Sequence, residues 1–300
     1  MRFYSFFALL MLSCFTTSLF GKNIPEDGNA TIAKNEDELV SLADSMLRTP
    51  IPDDRLDFSF KFAKLLKETL EMEGSATFPF SKLEQSIHIL KPNDQSFRIF
   101  NWLIAPSENI RRYYGIIQLK SGDLIPLLNY ADRFGDDVLT ATLDAKHWYG
   151  CEYYNIKEVQ VGKQKYYTLF GINKDGTFSN KKILDVLTFN ENEAVFGAPI
   201  FVVPNENESR LQTQNRVIWE YNKKAVFTLN YNEEWKMIMF DRLRSEINNP
   251  LRKDTYIPMG QTDGLRWEKG KWVFVKEAIP IMKLKDGGAP IDGVLPGAKK

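Results

Sequence analysis

The sequence predicts an α+β protein, mainly antiparallel β. A short helical N-terminal region precedes a large β-meander sheet that folds on itself as a sandwich or an open barrel. Three observations predict this. Four aromatic and β-branched runs, 148–157, 165–173, 180–189 and 194–203, are separated by short polar turns, the pattern of an antiparallel meander. Residues 36–90 instead repeat apolar side chains at steps of three and four, the period of a helix. The composition is 43% hydrophobic and 13% aromatic, enough to fill a core and suited to half-buried sheets.

Residues 1–21 read as a secretory signal peptide. Arg2 supplies the basic start, an apolar centre follows, and Thr16, Ser18 and Gly21 are the small residues a signal peptidase needs. The expectation is export, secreted or periplasmic after cleavage. The alternative is lipid anchoring at Cys14, in the lipobox-like run Met11-Leu-Ser-Cys14. A membrane span needs about 20 apolar residues. Hydroxyls interrupt this stretch and no other approaches that length, so no transmembrane span is expected in the mature chain.

After a polar start over 22–36, Asn35 is placed to cap a helix over 36–47 with Leu39, Leu42, Ala43, Met46 and Leu47 on one face. Pro50 and Pro52 end it. Asp53 or Asp54 caps a second helix over 54–73, which Gly74 stops. Ser81 and Glu84 form a capping box for a third, over 80–90, carrying Phe80, Leu83, Ile87 and Leu90.

The period changes after Pro92. Strands are expected over 97–104, 111–120 and 124–130, with 136–145 open between short helix and loop. The central meander follows. A hairpin over 215–222 and 225–231 then turns at Lys223-Lys224, and 236–243 pairs next. Residues 244–263 read as a long connection, and Asp263-Gly264 as a turn. A last hairpin crosses Lys269-Gly270. The chain thus divides into a signal peptide (1–21), a helical region (22–92), an antiparallel β domain (93–284) and a flexible tail (285–300).

Charge and chemistry narrow the function classes. Lys plus Arg and Asp plus Glu are both 39, and removing 1–21 takes away only Arg2. A neutral chain has no overall electrostatic attraction to nucleic acid. With Cys14 in the leader, Cys151 is the single remaining thiol and reads as a buried, inert one. The two histidines, His88 and His147, lie at no metal-ligand spacing, so neither a metal site nor a cofactor is expected. Residues 173–177 resemble part of a calcium loop but lack its acids at both ends. A hairpin turn with Gly176 at positive φ fits them better.

Two sets of residues remain as candidates. Asp185 and Glu220 interrupt apolar strands and could serve as a carboxylate pair for glycan hydrolysis, or simply as charges on the solvent face of a sheet. Trp148, Tyr154, Tyr167 and Trp219 crowd the central strands. They form a ligand-binding strip if the second sheet face is open, and a second core if it is covered.

The runs 97–102, 166–172, 179–189, 196–201, 216–221 and 237–241 resemble those of uncharacterised secreted proteins of Bacteroidetes type, over roughly 95–280. That resemblance implies an exported bacterial envelope protein and carries no activity or site residues. The expectation is a non-catalytic binding or interaction protein, with an envelope protein or glycan as partner. The alternative is a carboxylate-based glycan hydrolase.

Overall fold

The computed structural model describes residues 26–107, 110–129, 135–205 and 209–279. The leader with Cys14 and the 285–300 tail lie outside them. Two helices come first, α1 (Glu26–Arg48) and α2 (Pro52–Leu70). Their apolar stripes, Ile32, Leu39, Ala43 and Met46 on one and Phe62, Leu66 and Leu70 on the other, are buried. Helix α1 begins well before Asn35. The residue expected as a cap instead lies inside the helix, where its amide donates to Thr69 Oγ1 on α2 at 3.0 Å. Pro52 opens α2, where a missing N–H costs nothing.

The helix expected over 80–90 does not form. Phe80 sits at φ 54, a short 3-10 turn spans Leu83–Gln85, and His88–Leu90 is a strand, β1. Two long-range interactions override the local signal. Glu36 of α1 accepts the N–H groups of Lys82 and Leu83 at 2.8 and 3.1 Å, capping the turn from another element. Ile87 and Ile89 then alternate into the core while β1 pairs with β2 (Phe97–Ile104).

The strands make three sheets. The first has the order β1-β2-β3-β4, with β3 at Arg112–Leu119 and β4 at Leu124–Leu128. The second holds β5 (Leu143–Asp144), β6 (Glu152–Val161), β7 (Gln164–Asn173), β8 (Ser179–Asn190) and β9 (Glu193–Phe196) in the order β5-β9-β8-β7-β6. The third contains β10 (Phe201–Pro204), β11 (Leu211–Gln214), β13 (Leu229–Asn232), β14 (Met237–Ser245), β15 (Tyr256–Glu268) and β16 (Lys271–Val275). Its order is β11-β10-β16-β15-β14-β13. Strand β12 (Val217–Asn222) pairs with β8. The chain is therefore α+β and mainly antiparallel, as expected, but layered rather than one continuous sheet.

Alternation sets the layers. On β2, Phe100, Trp102 and Ile104 face the helices, while Phe97 and Ile99 face the second sheet. On β8, Ile183 and Leu187 face the first sheet, while Leu184 and Val186 face the third. The stacking is helices, first sheet, second sheet, third sheet. Buried polar groups tie adjacent layers. Arg98 on β2 donates to the carbonyls of Phe78 and Ser75 beside the helices. Asn101 Oδ1 accepts from the Tyr153 N–H at 2.6 Å, and Trp272 Nε1 donates to Thr168 Oγ1 at 3.0 Å between the second and third sheets.

Several connections differ from the sequence reading. The fourth run of the meander splits, because Gly197-Ala-Pro-Ile carries the chain from the second sheet to the third. There β10 pairs in parallel with β16. Strands β12 and β13 are not a hairpin, since each pairs in a different sheet. Of 244–263 only 246–255 is a connection: the two ends are strand, with Leu243 facing Pro258 and Ser245 facing Tyr256 across β14 and β15, and Asp263-Gly264 lies in mid-strand. What drives this is burial. Asp263, 5% exposed, takes a bidentate pair from Arg242, with Nε at 2.9 Å and Nη2 at 2.5 Å. The last hairpin is as expected, with Lys269 and Gly270 both at positive φ in a two-residue turn.

The turn before β2 is fastened to β7. Asp94 accepts from Lys165 Nζ at 2.5 Å, Tyr167 Oη at 3.0 Å and Ser96 Oγ at 2.7 Å. Burial alone would raise its carboxyl. The hydrogen bonds from Lys165, Ser96 and Tyr167 outweigh that and lower it to about 2. A carboxyl held below its ordinary 3.8 contributes stability above that pH and loses it as pH falls through about 2. Asp94→Asn should lower stability by about 1 kcal/mol at pH 7, discounted for partial exposure. Urea titrations of both proteins at descending pH check this, and the gap between them should close in the acid range. A gap independent of pH would mean that the Asp94 charge is not what fastens the turn.

Candidate functional site

Asp185 is fully buried on β8, not on a solvent face. Its Oδ1 lies 3.3 Å from Nε of Arg216, which is equally buried, and accepts the Val186 N–H at 2.8 Å. The Arg216 Nη1 donates to the carbonyls of Val138 and Ala141. Among the described residues Asp185 Oδ2 and Arg216 Nη2 have no hydrogen-bond partner. Burial raises the Asp185 carboxyl against the opposing pull of Arg216 and the Val186 N–H. Gly197, at φ 91, makes room for the pair, as a Cβ there would lie 2.8 Å from Arg216 Nη2. The solvent-face reading fails because β8 is covered on both sides. Ile183-Leu-Asp-Val-Leu187 signals that itself, as a near-continuous apolar run.

Glu220 is half-buried within β12, where it accepts from Ser179 Oγ and stands opposite Lys181. Lys181 and Asp185 are four residues apart on β8, about 13 Å. Glycosidase carboxyls stand about 5 to 9.5 Å apart across an open cleft. The structure does not bring Asp185 and Glu220 together in that way.

The four aromatic candidates separate into two groups. Trp148 is fully buried and donates from Nε1 to Tyr153 Oη at 2.9 Å. Tyr167 is 4% exposed, and its ring packs edge-on against Phe97. Both lie between the first and second sheets. Tyr154 and Trp219 lie on the other face, toward the third sheet, and are half-buried. Tyr154 donates to the Leu229 carbonyl, and Trp219 packs on Phe240 with centroids 4.7 Å apart. Both faces are covered, so the four do not form one open strip.

The remaining chemistry-bearing side chains are dispersed. Cys151 is fully buried, and burial pushes its thiol well up. His88 Nε2 lies 3.6 Å from Glu152, and His147 Nδ1 lies 2.8 Å from Asp144. Among the described residues no group of three or more His, Cys, Asp or Glu could hold a metal ion. No described helix is long and apolar enough to cross a membrane. Asn173 closes the 173–177 turn, with Oδ1 accepting from the Asp175 N–H. Gly176 has no positive φ there, and what excludes a side chain is the Ser179 carbonyl, 2.5 Å from where a Cβ would stand.

The open feature lies where three loops converge at one end of the second and third sheets. The β7–β8, β12–β13 and β14–β15 connections surround a shallow pocket of about 300 Å³, lined by Thr177, Phe178, Asn222, Lys223, Lys224, Asp254 and Thr255. The loops are bonded to one another. Lys223 N–H donates to the Phe178 carbonyl, Lys223 Nζ to that of Gly176, and Asn222 Nδ2 to that of Asp254. Phe178 is 71% exposed, and Val226 and Leu251, in the other two loops, are 85% and 87% exposed.

Beside this end, the Lys182 ammonium sits 4.0 Å over the Tyr154 ring, and Lys182 pairs across the ladder with Trp219. Burial, and secondarily Lys174, lower the Lys182 amine to about 8. Reading the strands alone misses this end. The signal is an apolar residue inside each polar turn: Phe178 after Gly-Thr, Val226 after Lys-Lys-Ala, and Leu251 after Pro250. A second pocket of similar size, beside α2 and β4, has its Lys67 and Glu71 already paired at 2.5 Å.

Comparison of the chain with protein-family models, curated proteins and solved structures finds no match.

Proposed function

We propose that this chain is an exported, non-catalytic binding protein of the bacterial cell envelope that holds a protein or glycan partner at the three-loop end. One observation carries the reading: Phe178 and Val226 stand exposed on loops that hydrogen bonds lock in place. Exposed apolar groups on a preorganised frame bind without a large ordering cost. The leader supports export, since its basic start, apolar centre and small residues are those of a signal peptide.

The test uses the double variant Phe178→Ser, Val226→Ser. Both positions are exposed, so folding should be unchanged by circular dichroism. Retention of washed envelope fractions, cell-wall glycan and solubilised protein separately, should drop by about tenfold or more, as expected when anchor residues are truncated. Retention equal to that of the parent protein would remove the three-loop end from the proposal.

A further inference from the structure

We infer that the three-loop end takes an acidic glycan, a polysaccharide bearing carboxylates. This rests on the binding-protein reading above and adds the partner's charge class. The chain is neutral overall, but its charge is unevenly placed. Segments 174–182, 220–226 and 246–255, which build this end, hold seven basic residues against four acidic ones. One of the four acids, Asp254, is paired with Arg252 at 2.8 Å; Asp175 accepts the Arg111 N–H at 2.8 Å and Glu220 accepts from Ser179, so both keep their charge and the excess of base over acid is three. Among the described residues Lys174, Lys182 and Lys224 have no carboxylate partner. The local field therefore favours an anion.

The pocket chemistry suits a sugar. Its walls offer the Thr177 hydroxyl, a group that exchanges hydrogen bonds with sugar hydroxyls, while the Asn222 amide and the Thr255 hydroxyl hold the loops in place through Asp254, Lys224, Arg252 and Ser245. Phe178 presents an exposed ring beside the Lys224 turn, a flat apolar face for the C–H side of a pyranose. A volume of about 300 Å³ accommodates only a small unit of a longer chain, and the open rim lets the polymer continue. Lys182, desolvated over Tyr154 and close to Lys174, is held without a counter-ion.

The experiment is a titration of the full-length protein with polygalacturonate and alginate, with methyl-esterified polygalacturonate, with neutral dextran and with a single-stranded DNA oligonucleotide. The variants are Lys174→Ala/Lys224→Ala and Phe178→Ser, all at exposed positions. At least one carboxylated polymer should bind. Its ester and dextran should bind at least about tenfold more weakly, and so should the double lysine variant toward the acid form. Raising salt from about 20 to about 200 mM should weaken binding further.

Equal affinity for the acid polymer and its ester overturns the charge inference. The loop-end reading then survives only if Phe178→Ser weakens both. Binding that no variant alters overturns both readings. Tighter binding of DNA than of either uronate polymer overturns the glycan class, and no binding of either polymer overturns the inference outright.

Discussion

Replacing Arg216 by methionine should lower the unfolding free energy by about 3–5 kcal/mol, the range for stranding one member of a buried ion pair. Asp185 would be left fully buried without its cation, and the carbonyls of Val138 and Ala141 would lose their donor. The double variant Asp185→Leu, Arg216→Met should regain a large part of that loss, because it removes the stranded charge as well. Urea unfolding of both variants measures it. An Arg216→Met protein as stable as the parent, or a double variant no better than the single, would refute the assignment.

The pH dependence has a defined sign. Burial holds the Asp185 carboxyl above its ordinary 3.8, so the folded state takes up its proton more readily than the unfolded chain. That contribution is fully present below 3.8 and lost as pH rises through the higher folded value. Without Arg216 the folded value climbs further. The variant's deficit should therefore shrink on mild acidification and widen toward neutral pH.

Trp272→Ala should cost about 3–5 kcal/mol, as for other large-to-small changes of a buried indole. Trp272 is 1% exposed, packs against Trp267 and Tyr231, and fastens the third sheet to the second through Thr168, which is itself fully buried. Alanine opens a cavity between the layers and leaves the Thr168 hydroxyl without its donor. Trp272→Phe keeps most of the apolar contact and should cost roughly half as much or less, chiefly the bond to Thr168. Chemical denaturation separates the two. If phenylalanine proves as damaging as alanine, packing is not the main term.

How legible the fold was depends on the range of the interactions that decide each element. The stripes of α1 and α2 and the Lys269-Gly270 hairpin are local patterns, and reading them locally succeeds. The 80–90 segment is a local pattern overruled from a distance, by Glu36 on α1 and by pairing with β2. Asp263-Gly264 has turn composition but lies in mid-strand, because Arg242 supplies a partner that only the folded sheet brings near. For Asp185 the one-open-face rule gives the wrong surroundings, since the apolar run of its strand already indicates two covered faces. The aromatic candidates could not be sorted between binding and core from the chain alone. The third sheet that covers Tyr154 and Trp219 is built from residues 201–275 in an order no local pattern encodes.

The parallel contact between β10 and β16 imposes an order of assembly. The last described strand sits third in its sheet, its Trp272 N–H donating to the Ile200 carbonyl at 2.7 Å. A chain made from its N-terminus can complete the helices, the first sheet and most of the second while β16 is still missing. Through that interval β10 carries an open edge, the kind that invites pairing with other chains. The third sheet closes only when residues 271–275 arrive, a contact spanning about seventy residues and correspondingly slow to form. A chain truncated before 271 should keep its helical face ordered and aggregate through the stranded β10 edge.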